Sequence, residues 1–165
     1  MIPARFGENL VALLPQIRRF ARGLARNAAD GDDLCQMTIE RALKSAGQWQ
    51  EGTRLDAWVY RIMRNLWIDE ARSRNRRDKT FAPEEVGIDI GDRGDAGIEA
   101  HVELGNVGRA LDKLPGEQRE AVMLVLVEGF AYKEAAAIIG CPIGTLTSRL
   151  VRGREALMRE MGEAA

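Results

Sequence analysis

The sequence predicts an all-α protein built as two small helical domains joined by a flexible linker. Three observations carry that prediction. Apolar residues recur at spacings of three and four along most of the chain, and no stretch shows sustained alternation. The periodicity fails over residues 78–97, where Pro83, Gly87, Gly91, Gly94 and Gly97 fall among many acids. The charge balance also shifts there. Residues 1–80 carry 15 basic and 10 acidic side chains, residues 81–108 carry 1 and 7, and residues 109–165 carry 8 of each. A chain of 165 residues accommodates one ordinary domain or two small ones. The expected organisation is a three- or four-helix domain over 1–77, an acidic linker over 78–97 and a second helical domain over 98–165.

The elements follow in order. Over residues 5–27, Leu10, Leu13, Leu14, Ile17, Phe20, Ala21 and Leu24 make one helix face, with Pro15 predicting a kink or a split. Asp30 is the expected N-cap of a second helix, with Asp32 and Asp33 in its first turn, where carboxylates suit the helix dipole. Leu34, Met37 and Leu43 are its apolar positions and Gly47 its stop. A third helix is expected from about Thr53 to Arg76, burying Leu55, Trp58, Val59, Ile62, Leu66 and Ala71. After the linker, Leu104, Val107 and Leu111 are periodic up to Leu114-Pro115. Short helices are then expected over 117–128, stopped by Gly129, and over 132–139, stopped by Gly140. A last helix runs from Thr145 to about Met161, with Leu146, Leu150, Leu157 and Met161 on one side.

Composition excludes several classes. The longest apolar run, residues 122–127, is far short of the roughly 20 residues that span a bilayer. The first residues carry Glu8 and no apolar core, so no signal peptide is expected. Cys35 and Cys141 cannot make a disulfide framework, and a reducing cytoplasm fits best. Both are read as packing residues, and His101 as a solvated histidine. A single histidine excludes any site needing two. There is no phosphate-binding glycine loop, no Gly-x-Ser-x-Gly elbow and no metal-ligand spacing, so no catalytic residue, metal or cofactor is expected.

Three constellations remain. Residues 132–157 read helix, turn over Cys141, Pro142, Ile143 and Gly144, helix, with small Ala135, Ala136 and Ala137 permitting a close crossing. In a helix-turn-helix the second helix enters the major groove, and here it carries Thr145, Thr147, Ser148, Arg149, Arg152 and Arg154. Arg reads guanine bidentately, and Ser and Thr bond phosphates or base edges. The alternative is an ordinary helical hairpin with a solvated basic face. Residues 65–79 place Arg72, Arg74, Arg76, Arg77 and Lys79 after the aromatics Tyr60 and Trp67. Clustered cations with aromatic rings suit unstacked nucleic acid, and equally a solvated helix end favoured by the dipole. The third is the acid-led stretch 31–43. Capping accounts for Asp32 and Asp33, and the polar face with Gln36, Glu40 and Arg41 suits a protein partner.

In this order the constellations resemble the extracytoplasmic-function group of bacterial sigma factors, over nearly the whole chain. DDLCQMTIERALKS resembles the helix with which that family docks on the clamp of the largest RNA polymerase subunit. RLDAWVYRIMRNLWIDEARSRNRR resembles its minus-ten reading helix, and residues 114–157 resemble its minus-thirty-five reading domain. The resemblance implies a transcription initiation factor that binds core polymerase and promoter DNA, acts in the cytoplasm without a cofactor, and is restrained by a separate anti-sigma protein. It implies polymerase contacts at Asp33, Gln36, Glu40 and Arg41, and minus-ten contacts at Asn65, Trp67, Arg72, Arg74, Arg76 and Arg77. Minus-thirty-five contacts fall at Thr145, Thr147, Ser148, Arg149 and Arg152. An anti-sigma protein is expected to cover the surface around Gln36 and the apolar surface near Val125 and Phe130. Two rivals stay open: a stand-alone helix-turn-helix regulator, and a sigma-like decoy that titrates an anti-sigma factor without binding DNA.

Overall fold

The computed structural model describes the backbone of residues 3–81 and 106–164 and the side chains of residues 3–76 and 107–162. The expected linker beyond Phe81 and the expected solvated His101 lie outside the described residues. Among these there are eight α-helices and no strand.

The N-terminal half holds α1 (Phe6–Ala12), α2 (Leu14–Ala25), α3 (Ala28–Lys44) and α4 (Leu55–Phe81). Pro15 splits the first segment. It has no N–H to give and its ring would crowd the carbonyl four residues back, so α1 stops at Leu13, and Pro15 takes the first turn of α2, where a missing donor costs nothing. The N-cap of α3 is Asn27, three residues before the expected Asp30. Asn27 is extended (φ −152°) and its Oδ1 accepts the N–H of Asp30 at 2.8 Å. Asp32 and Asp33 therefore lie beyond the first turn and cap nothing. The helix also ends earlier than Gly47, at Lys44, with a 3-10 turn at Ala46–Gln48.

Helix α4 starts at Leu55 and runs past the expected Arg76 to Phe81, through the first residues assigned to the linker. Its buried stripe is Val59, Tyr60, Met63, Leu66, Trp67 and Ala71, while Leu55, Trp58 and Ile62 are only partly covered. Helices α2 and α3 cross closely at Gly31, where an added Cβ would sit 2.6 Å from the Arg22 Cα.

The C-terminal half holds α5 (Asn106–Asp112), α6 (Gly116–Val122), α7 (Tyr132–Ile139) and α8 (Ile143–Ala164). The expected helix over 117–128 is not continuous. After Val122 it opens into a wide turn, Met123–Val127, in which the Glu128 N–H donates to the Met123 carbonyl at 2.8 Å. Gly129 (φ +81°) then reverses the chain. Gly140 (φ +83°) closes α7 with its N–H on the Ala136 carbonyl. Ile143 and Gly144, expected in the turn, already belong to α8, so the helix-turn-helix turn is the shorter Gly140–Cys141–Pro142. Leu146, Leu150 and Leu157 of α8 are buried, and Gly153 faces α6 without room for a Cβ.

One contiguous apolar core passes through both halves. Phe20 stacks on Tyr60 with centroids 4.6 Å apart, and Phe130 of the C-terminal half meets Tyr60 edge-on at 5.5 Å. Of the apolar surface expected near Val125 and Phe130, Phe130 is 2% exposed, covered by Tyr60 of the N-terminal half, whereas Val125 is half-buried and the adjacent Leu126 is 51% exposed.

Candidate nucleic-acid interface and partner surface

The candidate minus-ten residues lie along α4. Asn65 is exposed on the face opposite the buried Leu66 and Trp67. Arg72 and Arg76 are exposed further along; the side chain of Arg77 lies outside the described residues. Arg74 bends back, 3.6 Å from Glu70 and 3.8 Å from Asp30, with its guanidinium 5.7 Å from the Trp67 ring centroid. Trp67 itself is 5% exposed. So little of its ring is exposed that it offers no platform on which a base could stack, and the Arg74 guanidinium lies over it. Tyr60, the other expected aromatic, is also buried. Burial raises its hydroxyl pKa, and the neighbouring Glu128 carboxylate adds to the shift, so it remains a donor.

The candidate minus-thirty-five residues lie on the first turns of α8. Ser148 and Arg152 are exposed, as is Arg154. Thr145 and Thr147 are half-covered, and the Thr147 hydroxyl donates to the Ile143 carbonyl at 2.9 Å. Arg149 lies 3.4 Å from Glu117 at the start of α6. A phosphate or a guanine edge would compete with that carboxylate for the guanidinium.

Asp33, Gln36, Glu40 and Arg41 share the exposed side of α3. Met37 and Leu43, expected in the core, are exposed with them at 39% and 50%. The face thus combines polar and apolar surface, as protein interfaces do. Asp32, by contrast, points inward to α2. Its two oxygens accept from Arg22 at 2.9 and 3.0 Å and from Arg18 at 3.2 and 3.4 Å. The Arg22 hydrogen bonds, reinforced by Arg18, hold its pKa down at about 2 against an ordinary 3.8. Cys35 next to this cluster is half-buried, and burial pushes its thiol up, which fits a packing role. A hollow of about 110 Å³ between α3 and α4, floored by Leu34 and Trp67 and rimmed by Asp33, Met37 and Arg74, adjoins this face and the arginine-rich end of α4.

A set of charged residues went unread in the sequence. Arg19, Arg64, Arg119, Glu120 and Glu128 meet where the two halves touch. Arg119 is 2% exposed and donates to the carbonyls of Gly23, Leu24 and Leu114. Glu120 is almost fully buried. Burial pushes its carboxyl up, while Arg64, at 2.6 Å, pulls against that shift. The available signal was the charge that brackets the apolar run 122–127, Arg119 and Glu120 before it and Glu128 directly after.

Comparison with known proteins places both halves. Residues 10–77 match the family model described as Sigma-70 region 2, and residues 104–157 match that of Sigma-70, region 4. The chain is 41% identical over 150 residues to the ECF RNA polymerase sigma factor EcfG of Rhodopseudomonas palustris, spanning 91% of this chain and 81% of that protein. It is 34% identical to the ECF sigma factor SigM of Mycobacterium tuberculosis, over 89% of this chain and 72% of that one. The structure is similar to that of the sigma factor RpoE of Bartonella quintana, solved in complex with the anti-sigma factor NepR. The TM-score is 0.80 and the identity 31%, with 97% of this chain and 98% of that one covered. The fold is shared with CnrH, solved with the cytosolic domain of CnrY, at a TM-score of 0.70 and 22% identity over 97% and 89% of the two chains.

Proposed function

The chain belongs to the extracytoplasmic-function family of RNA polymerase sigma factors, which bind core polymerase and direct it to promoters, and we propose that its own promoter contacts are divided between α4 and α8. The observation that carries this reading is the exposure of two polar, cationic helix faces in two separate family regions. One has Asn65, Arg72 and Arg76 on α4, and the other has Ser148, Arg152 and Arg154 on α8.

On this reading the cations hold phosphates, which carry no sequence information, and Asn65 supplies choice through an amide that both donates and accepts. A minus-ten base read on its Watson–Crick edge must first leave the stack. Trp67 acts from inside, fixing the helix face that presents Asn65, rather than as a stacking platform. Arg74 and Arg77 extend the phosphate track. On α8, Arg149 and Arg152 read base edges, with Thr145, Thr147 and Ser148 positioning the helix.

Asp33, Gln36, Glu40 and Arg41, together with Met37, form the polymerase-docking face on α3. The protein works by binding rather than by catalysis, requires no cofactor or metal, and acts where polymerase is, in the cytoplasm; among the described residues no helix is long and apolar enough to cross a membrane. The relative from Bartonella was solved with an anti-sigma factor; for this chain, an anti-sigma protein that covers the α3 face would keep polymerase from it.

Run-off transcription with core polymerase tests the reading. We expect discrete start sites that depend on the chain, and Asn65→Ala should blur minus-ten discrimination while polymerase binding survives. No promoter-dependent product, with the chain still binding a partner's anti-sigma protein, would make it a decoy. Promoter binding that needs no polymerase would make it a stand-alone regulator.

A further inference from the structure

The arginines of the reading helix differ in one respect. Arg152 and Arg154 are exposed, and among the described residues neither has an acidic partner. Arg149 does have one. Its Nη2 lies 3.4 Å from a carboxylate oxygen of Glu117, in the first turn of α6. The Arg149 side chain is 24% exposed and that of Glu117 64%. The pair therefore lies at the surface, and a group that reaches the guanidinium also meets the carboxylate.

The contact follows from how the two helices cross. Gly153, one turn beyond Arg149, lies so close to α6 that a Cβ would meet the Gln118 carbonyl at 3.0 Å. Residues four apart share a helix face, so Arg149 leans toward α6, whereas Ser148 and Arg152 are exposed. Glu120, one turn further along α6, is already bonded to Arg64 at 2.6 Å. Glu117 is the carboxylate left for Arg149. An acid in a first turn suits the helix dipole whatever it faces, which accounts for a glutamate at 117 but not for its pairing with a reading arginine.

Pairing changes what Arg149 can bind. A phosphate carries a full negative charge, and Glu117 repels it at contact distance. Guanine offers N7 and O6, acceptors on a neutral base, which the carboxylate opposes far less. A guanidinium has five N–H donors, and Glu117 approaches this one at Nη2. The other donors suffice for a base edge. An arginine without a counter-ion adds affinity for any duplex, since phosphates carry no code. One that keeps its own carboxylate adds affinity chiefly where a base edge is presented.

We propose that Glu117 is a specificity-determining residue of the minus-thirty-five interface, a positioning residue that holds Arg149 beside its carboxylate, screens it from phosphate and reserves it for a base. The inference rests on the sigma-factor reading and on the place of Arg149 in it.

The test binds core polymerase carrying the full chain to two duplexes over a range of salt concentrations. One is a promoter selected from a randomised library by the wild-type holoenzyme, and the other is that promoter with its minus-thirty-five element scrambled. Glu117→Gln keeps side-chain size and removes the charge. We expect its affinity for the scrambled duplex to rise about fivefold, and that for the intact promoter to change by less than about twofold. The log–log salt slope on the scrambled duplex should steepen by about 0.9, the value of one further phosphate contact. In an Arg149→Ala background the same substitution should alter neither affinity. Glu160→Gln, which removes an equal charge beside Lys113 near the far end of α8, should leave the ratio of the two affinities at the wild-type value. A merely structural Glu117 would lower the melting temperature and move both affinities together. Equal changes on the two duplexes, no change on either, or the same gain in the Arg149→Ala background overturns the inference. If Arg149→Ala alone leaves preference for the intact element unchanged, the assignment of Arg149 as a reader fails and the inference falls with it. If Arg149→Ala relaxes that preference and Glu117→Gln does not, only the role of Glu117 is lost.

Discussion

Asp32 and Asp33 are adjacent in the chain and opposite in environment. Asp32 ties α3 to Arg22 and Arg18, while Asp33 stays exposed on the partner face. Because the folded-state pKa of Asp32 is depressed from 3.8 to about 2, the pair contributes stability above pH 4, and that contribution is lost as the pH falls toward 2. The Asp32 side chain is 42% exposed, so solvent screening limits the contribution to about 1 kcal/mol. Urea unfolding at pH 6 should therefore show Asp32→Asn less stable by about that amount, with the difference shrinking to nothing near pH 2. An equal deficit at both pH values would assign the cost to packing instead. On α8, Arg149→Ala should cost roughly 1–3 kcal/mol of promoter affinity if its guanidinium reads a base. No loss on a minus-thirty-five duplex would remove it from the reading set.

At the scale of elements, two glycines set how closely helices cross. An alanine at Gly31 would bring its Cβ to 2.6 Å from the Arg22 Cα, a backbone atom that cannot step aside. At Gly153 the nearest atoms are a Val122 methyl at 2.8 Å and the Gln118 carbonyl at 3.0 Å. Overpacking of this kind costs roughly 1–3 kcal/mol. We expect Gly31→Ala to lower the melting temperature more than Gly153→Ala. Gly162→Ala, with nothing within 4 Å, should raise it through helix propensity. The sequence disclosed the helices well because their period is local: α2, α3, α4, α7 and α8 all follow apolar spacings that one segment carries by itself. Their ends were less legible. The Asn27 cap and the wide turn after Val122 depend on a hydrogen bond and a register change that spacing does not encode. Met37 and Leu43 kept helical period with the core yet face outward, because hydrophobicity alone does not say whether the partner of an apolar residue lies in its own chain.

At the scale of the whole molecule, the two halves read as separate modules in sequence but share one core in the structure. Nothing local announces that Phe130 will lie against Tyr60 or that Glu128 will find Arg19, since those partners lie 70 and 109 residues apart. Of the candidate site residues, Asn65, Ser148 and Arg152 are exposed as their proposed contacts require, whereas the burial of Trp67 was illegible, since an aromatic on a helix reads equally as platform or as core. The account's central claim is a division of labour in which α4 reads one promoter element and α8 the other. The most direct measurement is selection of promoters from a randomised library by polymerase carrying this chain, compared with the Asn65→Ala and Arg149→Ala variants. The account predicts that Asn65→Ala relaxes preference only within the minus-ten element and Arg149→Ala at one position of the minus-thirty-five element. Relaxation of the same element by both substitutions, or unchanged preference in both variants with polymerase binding intact, would contradict it.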